Sequence, residues 1–331
     1  MNNTCPKCNA LLNFNEESQN YECEYCRSKF SLNDLKNNNF EIDVYTCNDC
    51  GAEILVDKDI NINSCIYCKN TNISKTKLEE DFDHRYLIPF KITKDDAKKI
   101  LKKVKKQNGL MPKIFNINKY IKDLKGIYVP FRIYNCDSSG EVNFECDKIS
   151  TWKSNGYKYI KTDKFNVIRK GSISFENVLV NGSNKFENHI MESIEPYNYE
   201  EVIKFDYSYL LGYITEKYSY PKTKLKKDAT TKIKNLFIEE MKKDIKGYNN
   251  VTEMDNSINI YNFKSSYILL PVWILNIKNN NKIYTFAING QTGKVSAKIP
   301  VNIKKTIILL ISLFIIVFII LVLLNFLKVM L

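Results

Sequence analysis

The chain has 331 residues, 44% of them hydrophobic, a formal net charge of +12, ten cysteines and two histidines. That length can bury a substantial core, and there is no G-x4-G-K-[ST] phosphate loop to support an ATP-driven motor. The charge is uneven: residues 1–80 hold 8 Lys+Arg against 13 Asp+Glu, and the remainder holds 41 against 24.

From the N-terminus, the first signal is four C-x2-C pairs. Cys5-Pro-Lys-Cys8 and Cys23-Glu-Tyr-Cys26 are followed by Cys47-Asn-Asp-Cys50 and Cys65-Ile-Tyr-Cys68, each cysteine lying 42 residues after its counterpart. This spacing predicts two small β zinc ribbons, over residues 1–34 and 41–76, with one structural Zn2+ in each. The metal ligands are Cys5, Cys8, Cys23 and Cys26 in the first and Cys47, Cys50, Cys65 and Cys68 in the second. Four thiolates close the coordination sphere, leaving no open position for a catalytic water. Gly51 and Asn9 follow a C-x2-C pair, where the chain needs a residue tolerant of positive φ. Disulfides are the competing reading; it is disfavoured because no signal peptide precedes the cysteines. Each Zn(Cys)4 centre adds further negative charge to an already acidic segment. Nucleic-acid binding rests on phosphate neutralisation, so protein docking is favoured over nucleic acid for the ribbons.

Residues 84–300 predict an α+β domain with antiparallel sheet. A first helix starts at Thr93 with Asp96 as a capping-box partner, carries Ala97, Ile100, Leu101 and Val104 on one stripe, and ends at Gly109. A second starts after Pro221, carries Leu225, Ala229, Ile233, Phe237, Met241 and Ile245, and ends at Gly247. Their lysine-rich outer faces fit membrane or nucleic acid, and equally well plain solvation. After each helix comes a related strand, Ile127–Asn135 and Ile268–Asn276, with Pro130 and Pro271 in the same place. This suggests an internal duplication, against chance likeness of apolar strands. The prolines point to an edge or a bulge. Asp137-Ser-Ser-Gly140, and then Asn289-Gly290 with Thr292-Gly293, are hairpin signals, and 171–182 reads as a further strand.

Thr306 to Leu327 is an apolar run of 22 residues, interrupted within 307–324 only by Ser312. It is long enough to cross a bilayer as one transmembrane helix. Lys294, Lys298, Lys304 and Lys305 precede it and Lys328 follows. The positive-inside rule then keeps the N-terminal bulk in the cytoplasm, as for a tail-anchored protein of the cell membrane.

No catalytic constellation emerges. His84 and His189 lie in polar stretches, Glu79-Glu-Asp81 and Glu239-Glu240 show no paired-carboxylate pattern, and Trp273 reads as core. Cys136 and Cys146 flank the first expected hairpin, where they could meet as a thiol pair or remain ordinary buried cysteines.

Longer stretches carry a family resemblance. They are Tyr45-Thr-Cys-Asn-Asp-Cys-Gly-Ala-Glu-Ile54, Ile88-Pro-Phe-Lys91, Gly126-Ile-Tyr-Val-Pro-Phe131, Met191-Glu-Ser-Ile-Glu-Pro-Tyr197, Leu270-Pro-Val-Trp273 and Tyr284-Thr-Phe-Ala-Ile-Asn-Gly-Gln-Thr-Gly-Lys294. From Cys5 to about Pro300 the chain resembles the bacterial membrane-anchored double zinc-ribbon proteins whose N-terminal domain is of transcription factor IIB type. Asn9 stands where a knuckle glycine is usual. The resemblance implies an architecture and names no activity, ligand or partner. The function expected is a membrane-anchored cytoplasmic scaffold or adaptor whose ribbons dock a protein; the alternative is a nucleic-acid-binding regulator held at the membrane.

Overall fold

Alternating apolar positions draw much of the chain into β-sheet. The computed structural model describes residues 4–10, 12–15, 20–35, 42–57, 62–77, 86–107, 117–210, 212–279, 282–297 and 303–330. Strands β1 (Leu12–Asn15), β2 (Asn20–Cys23) and β3 (Lys29–Phe30) form a small antiparallel sheet around Cys5, Leu12, Tyr21, Phe30 and Leu35. Strands β4 (Ile42–Cys47), β5 (Glu53–Asp57) and β6 (Ile73–Lys77) carry the second cysteine set and belong to a much larger sheet.

That larger sheet is built on three very long strands. In chain order come β7 (Tyr86–Leu87), α1 (Lys94–Gln107), α2 (Ile117–Tyr120), β8 (Lys125–Ser154), β9 (Tyr157–Asn181) and α3 (Asn188–Ser193). They are followed by β10 (Ile203–Lys204), β11 (Ile214–Glu216), α4 (Lys222–Lys243), β12 (Asn250–Asn279), β13 (Lys282–Asn289), β14 (Val295–Ala297) and α5 (Ile303–Met330). The spine runs β10-β7-β12-β8-β11-β5-β4-β6, with β9 on β8, β13 on β12 and β14 on β13. Thirty residues of β8 amount to about 100 Å of extended chain. β8, β9 and β12 therefore form an arm.

The two faces of the sheet carry different layers. On β8, Tyr128 packs in one cluster with Ala97 and Leu101 of α1. Tyr134, Cys136, Val142, Phe144 and Cys146 pack beneath α4. These are all even positions of one regular strand, so α1 and α4 share a face. The odd positions Ile127, Val129 and Phe131 pack with α3 and the second cysteine set.

The sheet is mixed, not purely antiparallel. β7 runs parallel to β12 and β11 parallel to β8. Each is only two or three residues long, too short to show a readable alternation, and each leads into a helix that carries the chain back over the sheet. Asp137–Gly140 is not a hairpin but continuous strand. Gly140 serves close approach: a Cβ there would collide with the Ser257 carbonyl oxygen and lie 2.8 Å from Ile258 Cα. The turn sits at Asn155-Gly156, both at positive φ, as a two-residue hairpin requires. Cys136 and Cys146 consequently lie ten positions apart on one strand and do not meet. Strand β9 contains 171–181 but begins earlier, at Tyr157. The Asn289-Gly290 turn holds, joining β13 to β14. Thr93 caps α1 as expected, accepting the Asp96 N–H at 3.2 Å; Gly109 lies outside the described residues. α4 ends at Lys243, short of Gly247, so Ile245 packs from the loop.

The surroundings of the two proline-marked strands match in detail at an offset of 141. Ile127 pairs with Ile214 and Ile268 with Tyr86; Phe131 pairs with Asn181 and Val272 with Asn289. The Gly182 N–H donates to the Pro130 carbonyl at 2.9 Å, and the Gly290 N–H to the Pro271 carbonyl at 2.8 Å. Asn181 Oδ1 accepts the Ser183 N–H at 3.0 Å, and Asn289 Oδ1 the Gln291 N–H at 2.9 Å. A Cβ on Gly182 would meet the Tyr218 ring at 2.6 Å, and one on Gly290 the Phe90 ring at 2.7 Å. We expect Gly290→Ala to lower stability by roughly 1–3 kcal/mol, the usual range for overpacking a tight site. An unchanged chemical denaturation midpoint would contradict that crowding.

Candidate metal centres

Each C-x2-C pair folds into the same tight knuckle. The N–H of the residue after the second cysteine donates to the carbonyl of the first: Asn9 to Cys5, Arg27 to Cys23, Gly51 to Cys47 and Lys69 to Cys65, at 2.8–3.0 Å. All four donors adopt positive φ, between 56° and 65°. Gly51 and Asn9 are as the sequence suggests; Arg27 and Lys69 accept the strained backbone without the residue type that signals it.

The knuckles close on each other in pairs. Cys5, Cys8, Cys23 and Cys26 have all four Sγ atoms within 4.8 Å of one another, as do Cys47, Cys50, Cys65 and Cys68. Facing sulfurs stand 3.5 Å (Cys5–Cys26), 3.4 Å (Cys8–Cys23), 3.6 Å (Cys47–Cys68) and 3.7 Å (Cys50–Cys65) apart. A tetrahedron with Zn–S near ~2.3 Å has edges of about 3.8 Å, so both clusters have the size for one metal ion each. Backbone N–H groups already point at sulfur, Lys7 to Cys5 and Cys26 to Cys23, both at 3.4 Å. The Ser28 hydroxyl, 3.3 Å from Cys26 Sγ, pulls that thiol down to about 6. Burial pushes Cys65 well up. A dication would hold all four as thiolates.

The two clusters differ in what their second knuckle touches. Tyr67, between Cys65 and Cys68, is 6% exposed. Its ring meets Phe186 edge-on at 5.3 Å, and its hydroxyl donates to Glu216 Oε2 at 3.0 Å. Asn276 Nδ2 donates to the Ile66 carbonyl at 2.9 Å, and Lys185 Nζ to the Cys50 carbonyl at 2.6 Å. The knuckle is thus seated on the sheet. Tyr25, the counterpart between Cys23 and Cys26, is 82% exposed.

Glu216 is a residue that sequence reading overlooks. It is 1% exposed and accepts from Ser183 Oγ at 2.5 Å as well as from Tyr67. Burial pushes its carboxyl up to about 7 despite those donors. The folded state therefore holds the proton more tightly than the unfolded chain. Its contribution is complete below the unfolded pKa, near 4.5, and is lost as pH rises through about 7. Glu216→Gln is expected to flatten the stability profile between those limits, by a few kcal/mol at the upper end. Thermal melts across that range check this; a profile as steep as the parent's would count against it.

Among the described residues, the remaining sequence candidates do not assemble. His189 is exposed, with Nδ1 3.2 Å from Glu187; His84 and Glu79–Asp81 lie outside the described residues. Glu240 pairs with Lys243. Burial raises the thiols of Cys136 and Cys146, and Trp273 is fully buried. A cleft of about 600 Å3 opens between α3, α4 and the end of β9, where Lys232 bonds Glu195 Oε1 at 3.3 Å and the Leu179 carbonyl at 3.0 Å. Helix α5 contains one stretch, Lys305–Leu323, long and apolar enough to cross a membrane, and none of it is buried against the rest of the chain.

No family model matches the chain, and no solved structure matches it. Among curated proteins it is 33% identical over 216 residues to a Bacillus subtilis (strain 168) protein named "Uncharacterized protein YdjG". The match covers 65% of this chain and 63% of that protein. The relative's name carries no activity to transfer.

Proposed function

We propose that this protein is a membrane-anchored cytoplasmic scaffold or adaptor that carries two structural zinc ions and docks a protein partner through its first zinc ribbon. The observation that carries the reading is the contrast between Tyr25 and Tyr67. The two occupy the same place in repeated knuckles, one 82% exposed and one 6% exposed. The second knuckle uses its aromatic to seat on the chain's own sheet. The first presents the same chemistry to solvent, which suits a partner surface bearing a hydrophobic seat and an acceptor for the Tyr25 hydroxyl.

Zinc is the metal we assign, because all-cysteine tetrahedra with this knuckle spacing suit it and leave no site for catalysis. In this reading α5 is the anchor, and the lysines ahead of it favour a cytoplasmic side for the bulk. The transcription factor IIB-type resemblance belongs to the same reading. The matched registers about Pro130 and Pro271 support an internal duplication. Its halves exchange their short first strands, β7 lying beside the long strand of the second half and β11 beside that of the first.

The test is affinity capture by the full chain against Tyr25→Ala. Partners retained by the parent should be lost by the variant, while both proteins keep two zinc per chain. Equal capture by the two proteins would refute docking at this knuckle. Co-purifying nucleic acid that is lost at high salt would favour the regulator reading instead. The acidic segment 1–80 is expected to give no gel shift with DNA or RNA at physiological salt, since it has little positive charge to release counterions.

A further inference from the structure

The net charge of the chain is concentrated on one face. Helix α1 carries seven lysines against two aspartates, and α4 eight lysines against three carboxylates. Together they account for an excess of ten positive charges, out of +12 for the whole protein. Both helices lie on the face of the sheet marked by the even positions of β8. The opposite face carries the second cysteine cluster and α3.

Several of these lysines are not spent on carboxylates. Lys224 Nζ rests 3.2 Å from the centre of the Tyr220 ring and Lys226 Nζ 5.3 Å from that of Phe263. Arg132, on the same face, lies 4.4 Å from the centre of the Tyr267 ring. A ring leaves the cation's charge unneutralised. Four of the lysines, Lys222, Lys224, Lys226 and Lys227, crowd the first turns of α4, against the helix dipole. That arrangement favours an external anion over the isolated fold.

Two further features point to the same face. β14 packs beside α1: Val295 and Ala297 line a cleft with Ile100 and Val104. Only residues 298–302 separate Ala297 from α5, a span of about 20 Å at most. The apolar helix therefore leaves the body next to the basic layer. At the end of the arm, Trp152 and Tyr159 stack across strands at 5.5 Å, and Trp152 is 49% exposed. Trp152 is an even position of β8, so the pair continues the face covered by α4. Exposed Trp and Tyr beside lysine are the side chains that settle at a bilayer's headgroup level.

We propose that the α1/α4 face, from the start of α5 to Trp152 at the tip of the arm, lies on the anionic lipid headgroups of the membrane in which α5 is anchored. The inference rests on the reading of α5 as a membrane span. Phosphate of nucleic acid shares the charge, but the apolar helix emerging beside this face favours lipid. Lysines near an anionic surface add their attractions together, and salt screens them. The docking holds the arm flat and turns the second cysteine cluster away from the bilayer.

Trp152 reports the contact directly, because the chain's only other tryptophan, Trp273, is fully buried. Full-length protein is reconstituted in vesicles of brominated phosphatidylcholine, with or without phosphatidylglycerol at about one lipid in three. Trp152→Phe supplies the blank. Quenching of Trp152 by about twofold is expected in the anionic vesicles alone, reversed near 0.5 M salt. It should be lost in a Lys102→Glu, Lys103→Glu, Lys224→Glu, Lys226→Glu variant, whose changes are exposed. An unquenched Trp152 in protein that stays with the vesicles through an alkaline wash would overturn the docking and leave the anchor standing. Release by that wash would overturn both. Shielding of Trp152 by an oligonucleotide and by neither vesicle would assign the face to nucleic acid.

Discussion

Cys65→Ser is expected to remove one zinc and to lower the main unfolding transition by about 10 °C or more, whereas Cys5→Ser should remove one zinc and leave that transition nearly in place. Zinc-finger peptides gain on the order of 10–16 kcal/mol from their metal, so losing a ligand removes most of the local folding energy. What differs is where that loss is felt. Cys65 shares one core with Ile54, Val56, Ile127 and Val129, and β5 hydrogen-bonds through β11 to β8. Unseating this cluster also strands Glu216, Lys185 and Asn276, whose partners are in or beside its knuckles. Even a few kcal/mol there shifts a transition of this size by 2–4 °C for each kcal/mol. Cys5 belongs to a separate small core with Leu12, Tyr21 and Phe30. Zinc content and calorimetry on both variants decide the matter; equal shifts in the main transition would show that the two clusters are not embedded differently.

The two cysteine clusters were legible because C-x2-C spacing is local and repeats at a fixed offset. The start of α1 was equally local, since Thr93 and Asp96 satisfy each other three residues apart. The prolines needed more. Pro130 and Pro271 were expected at an edge or a bulge, yet both lie in the central pair of strands, opposite Leu269 and Tyr128. In a strand the N–H and C=O of one residue point to the same side. Each proline carbonyl is bonded to Gly182 or Gly290, where the neighbouring strand has just ended. On β8 the partner on that side changes from β11 at Tyr128 to β9 at Phe131; on β12 it changes from β7 at Leu269 to β13 at Val272. Each proline therefore stands in the gap between two partners, where its missing N–H breaks no ladder bond.

What could not be read was long-range. Nothing in Cys23-Glu-Tyr-Cys26 and Cys65-Ile-Tyr-Cys68 says that one tyrosine is exposed and the other seated. The difference depends on Glu216, 149 residues from Tyr67. The hairpin was misplaced for the opposite reason. Gly140 and its polar neighbours resemble a turn, but glycine is needed there because the β12 backbone passes too close for a Cβ. The actual turn, Asn155-Gly156, has the strongest local signal for a two-residue hairpin. The lysine stripes of α1 and α4 were visible individually, but only the topology shows that they share a face with the chain's exit to α5.

Removing residues 303–331 is expected to move the protein from the membrane to the soluble fraction while leaving its unfolding transition unchanged. Lys305–Leu323 makes no buried contact with the body, so the fold has nothing to lose with it. Its 19 residues give about 28 Å of helix at 1.5 Å per residue, close to the hydrocarbon thickness of a bilayer. Each Leu, Ile, Phe or Val at its centre favours insertion by roughly 0.3–0.6 kcal/mol. The fractionation belongs near 0.5 M salt, where attraction between the lysine-rich face and headgroups is screened and only an inserted helix holds. Protease added outside intact cells should leave the cysteine-rich segments uncut, and should cut them once the membrane is opened. Cleavage before opening would reverse the orientation; a truncated protein still in the membrane fraction at that salt would mean that α5 is not what holds the chain there.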